Sequence, residues 1–124
     1  MSCDTPFETC CEERGTFLYS GTLLDENGAP VTLAALTAFT MDLVDKATGT
    51  VLNSRTAVDI LNTNGGTFHA TTGAFTFRFQ AADNVIVTDA KQTERHIATF
   101  HATWATGVKH WEVHVSVDNL VSVS

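Results

Sequence analysis

The sequence predicts an all-β domain, a single antiparallel β-sandwich of about seven strands, and three observations carry that reading. Apolar and polar residues alternate with period two along the chain, most sharply at Ala74 to Gln80, where Phe75, Phe77 and Phe79 share one face and Thr76, Arg78 and Gln80 the other. Turn chemistry rich in Gly, Asn and Asp recurs at the spacing of sandwich strands, as in "DENGAP", "DKATG" and "NTNGG". Eight Phe, with many Val and Thr, favour strands over helices.

With 124 residues, 44% of them hydrophobic and 17% charged, the chain fits one folded domain with a real core. A formal charge of −7 argues against a phosphate backbone as partner, because the Lys and Arg stripes that neutralise phosphates are missing. No apolar run approaches the roughly 20 residues of a membrane-spanning helix. The opening "MSCDTPFETCCEER" has neither the basic start nor the apolar centre of a signal peptide, so a soluble protein made in the cytosol is expected. All three cysteines, Cys3, Cys10 and Cys11, fall within the first eleven residues. An odd count in one place is no disulfide framework, and three thiols at this spacing lack the fourth ligand of a structural zinc site, so they are expected to stay reduced.

Residues 1–15 carry four acidic side chains and no period, which reads as an extended N-terminal arm suited to contact with a neighbour; residues 16–124 make the sandwich. Thr16 to Leu24 predicts a strand partly covered on both sides, ended by Asn27-Gly28 and Pro30. Val31 to Leu36 reads as one helical turn or a bridge to the next sheet. Ala38 to Asp45, with Phe39, Met41 and Leu43 inward, predicts a strand that turns at "KATG" and returns through "TVLNSR", with Asp45 opposite Thr50 and Leu43 meeting Leu52. Thr56 to Asn64 fits a brief helix or an irregular crossing. Thr67 to Ala70 and Ala74 to Gln80 predict two more strands, the second of them central, and Asp83-Asn84 is suited to capping a short helical turn.

Glu94 to Leu120 predicts the hairpin around which the rest is organised. His96, Ala98, Phe100, Ala102 and Trp104 form one inward face and Trp111, Val113, Val115 and Val117 the other. A turn at Ala105 to Val108, with Trp104 opposite Lys109, sets Phe100 against Val113 and makes the two faces coincide. The expected core is Phe39, Leu43, Phe75, Phe77, Phe79, Phe100, Trp111, Val113 and Val115. In the same register the outward face sets His101 opposite Glu112, with His110 and His114 flanking it. Imidazoles and a carboxylate so clustered are a candidate Zn²⁺ or Ni²⁺ site. The blander reading is a polar sheet face or a subunit contact, and it is preferred, so neither metal nor cofactor is expected. His96 reads as a core or rim histidine satisfied by one hydrogen bond.

No phosphate-binding glycine loop, nucleophile elbow or His-Glu-x-x-His is present, and no catalytic residues are assigned. "YSGTLLDENGAPVTLAALTAFTMDLVDKATGTVLNSR" at Tyr19 to Arg55, continued in "DILNTNGGTFHATTGAFTFRFQAADNVI" and "VSVDNL", resembles small virion proteins of tailed bacteriophages, including the type of the N-terminal domain of baseplate upper proteins. The turns carry the resemblance, which spans Thr16 to Leu120 and leaves the cysteine arm outside; such turns also occur in bacterial surface immunoglobulin-like domains. It implies an immunoglobulin-like sandwich serving as a non-enzymatic structural part of the virion, at the head surface, neck or tail. The partners it implies are copies of itself and other virion proteins, with no nucleic acid or membrane. The alternative is an immunoglobulin-like module that binds carbohydrate or a host surface through Trp104 or Trp111; burial of both rings would remove that platform.

Overall fold

The computed structural model describes residues 8–12, 15–87 and 93–118. They form eight strands: β1 (Glu8–Glu12), β2 (Phe17–Thr22), β3 (Leu36–Asp45), β4 (Val58–Asp59), β5 (Gly66–Phe68), β6 (Ala74–Phe79), β7 (Thr93–Trp104) and β8 (Gly107–Asp118). One sheet has the order β1-β8-β7-β3-β4 and the other β2-β6-β5. All pairings are antiparallel except that of β1 with β8, which is parallel from Glu8 opposite His114 to Glu12 opposite Asp118. The residues expected to be an arm for a neighbour thus supply, at 8–12, an edge strand of their own chain. Cys3 lies outside the described residues.

The two sheets bury one shared core, because each long strand turns its apolar parity inward. Phe39, Met41, Phe77, Phe79, Phe100, Ala98 and Ala102 have no exposed surface. Phe77 meets Phe79 and Phe100 edge-on, with ring centroids 4.9 and 5.7 Å apart, so the two sheets interlock through aromatic contacts. The expected core residues are buried with one exception. Trp111 is only half-buried: it stacks on Phe100 at 5.5 Å while its indole N–H donates to the Tyr19 hydroxyl at 3.0 Å. β6 is central in its sheet, as its three phenylalanines predict. β2 is covered on one side rather than two, since Leu18 and Leu24 point to solvent.

The β7–β8 hairpin keeps the predicted faces but not the predicted register. Trp104 pairs with Gly107, Ala102 with Lys109, Phe100 with Trp111 and Ala98 with Val113, a shift of two residues that leaves only Ala105 and Thr106 in the turn. Gly107 belongs to the strand because the Trp104 indole lies where a Cβ would stand, 2.9 Å away. Close approach, not turn geometry, is what requires the glycine there.

The return from β3 is also shorter than expected. Leu52 N–H donates to Leu43 C=O at 2.9 Å and Asp45 N–H to Thr50 C=O at 2.9 Å, the predicted alignment, yet only Val44 and Val51 form a bridge. Asn53 and Ser54 then take positive φ (51° and 54°), which breaks the strand, and the buried Arg55 follows, its C=O accepting from Leu43 N–H at 3.0 Å. The irregular crossing after it carries β4, two residues long, on the Thr40–Met41 edge of β3. Thr32 to Leu36 makes one turn, with Leu36 N–H on Thr32 C=O at 3.1 Å. Ala81–Asn84 forms a single 3₁₀ turn in which the Asp83 carboxylate accepts from Gln80 N–H at 2.7 Å.

Candidate functional site

On the outward face, the four predicted residues do not converge. With the two-residue turn, His101 faces His110, while Glu112 faces Thr99 and His114 faces Ile97. His101 Nδ1 lies 2.7 Å from His110 Nδ1, and His101 Nε2 lies 2.8 Å from the Asp42 carboxylate, a partner on β3 that reading the hairpin alone misses. Glu112 and His114 form a separate contact of 3.1 Å along their own strand. A carboxylate only accepts, so His101 carries its proton on Nε2. If both rings were protonated, two N–H donors would face each other at Nδ1, so the His101–His110 contact requires at least one neutral ring. The result is a carboxylate–imidazole–imidazole chain across three strands.

A second cluster lies inside the sandwich. Asp45 continues the inward row Phe39, Met41, Leu43 on β3, and Glu94 and His96 precede the inward row Ala98, Phe100, Ala102 on β7. Asp45 and His96 are direct partners across the strands. All three are buried, at 0%, 1% and 1% exposure, and each brings one ligand atom to within 4.8 Å of the other two. Asp45 Oδ2 accepts from Thr48 Oγ1 (2.7 Å) and Thr48 N–H (3.1 Å). Glu94 Oε1 accepts from Val87 N–H at 2.8 Å and contacts His96 Nε2 at 3.0 Å. Asp45 Oδ1 and His96 Nδ1 have no hydrogen-bond partner. Leaving a buried polar atom unpaired costs about 1 to 3 kcal/mol each, so this end of the core carries an unmet demand. The sequence held a signal for it, namely that inward parity runs past the last apolar residue on both strands into ionisable ones.

The tryptophans occupy different settings. Trp104 is buried, while Trp111 lines an open groove of about 240 Å³ with Tyr19, Thr22, Leu23, Phe75 and Lys109. The Trp111 ring is committed to Phe100 and its N–H to Tyr19, so the groove wall is fixed rather than adaptable. Protein-family models, curated proteins and solved structures give no match to this chain.

Proposed function

We propose that the protein is a non-enzymatic structural component of a tailed-bacteriophage virion, an immunoglobulin-like sandwich that works in multiple copies. The observation that carries the reading is the open edge of β2. Among the described residues this six-residue strand pairs only with β6; it contains no Lys, Pro or bulge and exposes Leu18 at 58%. Edges of soluble domains are normally blunted by such devices, so an unguarded one fits a strand that a neighbouring copy covers. The strand orders also suit the immunoglobulin-like reading, which sets a four-strand row equivalent to β8-β7-β3-β4 against a three-strand row equivalent to β2-β6-β5. Burial of Trp104 removes one of the two rings a sugar-stacking module would use, while Trp111 is half-buried at the wall of an open groove and stacks on Phe100.

Light scattering on the purified chain tests the association. The parent is expected to form discrete oligomers, and Leu18→Lys, which places a charge on the exposed side of β2, is expected to give monomers with an unchanged unfolding midpoint. A parent that stays monomeric at tens of micromolar, as a rough working scale for specific interfaces, sinks the multi-copy role. Crosslinking in purified particles tests the virion assignment, with bonds to a second virion protein expected.

A further inference from the structure

We propose that Asp45, Glu94 and His96 bind a divalent first-row transition ion of the zinc type inside the sandwich. Two carboxylates and an imidazole, all at least 99% buried, each bring one ligand atom to within 4.8 Å of the other two, and two of the three residues carry a buried atom, Asp45 Oδ1 and His96 Nδ1, with no hydrogen-bond partner. A cation supplies what Asp45 Oδ1 and His96 Nδ1 lack, and its double positive charge matches the two carboxylates. Zn²⁺ takes imidazole nitrogen at about 2.0–2.1 Å and carboxylate oxygen at about 2.0–2.2 Å. Ligand atoms around one tetrahedral ion therefore lie roughly 3.3 Å apart, against an observed spacing of up to 4.8 Å.

The carboxylates are already oriented from behind, Asp45 by Thr48 and Glu94 by the Val87 amide, as ligands of a metal centre usually are. Ca²⁺ fits poorly, since it wants six or more oxygens and no imidazole. The three donors among the described residues leave one position of a tetrahedral ion for a further ligand. The ion would join the end of β3 to the start of β7, a cross-strand staple that only the folded chain can form, so binding should stabilise the fold.

The test uses the full chain with Cys3, Cys10 and Cys11 changed to Ser, which removes competing thiolates, after dialysis against a chelator. Calorimetric titration with Zn²⁺ is expected to give one ion per chain and an unfolding midpoint that climbs with Zn²⁺ but not with Ca²⁺. Asp45→Asn keeps the shape and removes a charged ligand, so affinity should fall by roughly 100-fold or more. His101→Ala should leave it unchanged. No uptake by the parent, or uptake that survives Asp45→Asn and disappears in His101→Ala, overturns the proposal in favour of an unoccupied core or the surface histidines. Should Asp45→Asn fail to fold, X-ray absorption on the Zn²⁺-loaded parent decides: one imidazole among oxygen ligands is expected, and a shell with two or more imidazoles overturns it.

Discussion

Asp83→Ala is expected to cost about 3 to 5 kcal/mol, because it strands a buried guanidinium. Arg55 is 3% exposed and donates to Asp83 through Nε at 2.5 Å and Nη2 at 3.1 Å. Asp83 also accepts from Asn53 Nδ2 at 2.9 Å and from Gln80 N–H at 2.7 Å, so one carboxylate holds together the end of the β3 return and the 3₁₀ turn. The pair itself is worth much less than its rupture, since both charges have already lost their hydration in the folded state. A double variant, Arg55→Met with Asp83→Leu, should therefore recover the part of the Asp83→Ala loss that comes from the stranded guanidinium, while the Asn53 and Gln80 hydrogen bonds stay lost. Urea denaturation of the parent, of Arg55→Met and Asp83→Leu singly, and of the double variant measures the coupling. Equal losses in the single and double variants would mean that the ion pair contributes its own net stability.

Phe77→Ala should remove a comparable amount, about 3 to 5 kcal/mol, by opening a cavity at the point where the sheets interlock. Phe77 is fully buried, meets Phe79 and Phe100 edge-on, and lies under the Arg55 guanidinium at 5.1 Å. For a domain of this size the unfolding midpoint should drop by on the order of 10–20 °C, readable by calorimetry. The Arg55 contact has a second consequence. Phe77 and Asp83 share that side chain, so their combined loss should depart from the sum of the single losses by more than about 0.5 kcal/mol. A midpoint that barely moves in Phe77→Ala would show that the ring is not essential to the core.

Parity was legible in the sequence and register was not. Alternation assigned the inward faces of β3, β6, β7 and β8 because a side chain's face depends only on whether its position is odd or even. A shift of two residues preserves that parity, so hydrophobic matching alone could not separate Phe100 opposite Val113 from Phe100 opposite Trp111. The turn decides between them, and Gly107 looked like a turn residue when its role is to admit the Trp104 ring. The same shift dissolved the predicted cluster of His101, His110, Glu112 and His114. Asp42 was out of reach for another reason: it arrives from β3, and no feature of the hairpin indicates which strand lies beside it. The buried Asp45, Glu94 and His96 were readable in principle, since each continues an inward row, but ionisable residues at a strand end usually signal that the strand is leaving the core.

The parallel pairing of β1 with β8 sets how the domain bears load. The two strands lie side by side over residues 8–12 and 114–118, near opposite ends of the chain. Tension between the N- and C-termini pulls β1 toward its start and β8 toward its finish, which slides one along the other. In that geometry the backbone hydrogen bonds between them are loaded together, whereas an antiparallel hairpin pulled at its open end yields one bond at a time. Single-molecule pulling through the termini should therefore give a higher rupture force than pulling β7 and β8 apart at residues 93 and 118. A domain held at both ends within a larger assembly would resist stretching through this one short pair of strands.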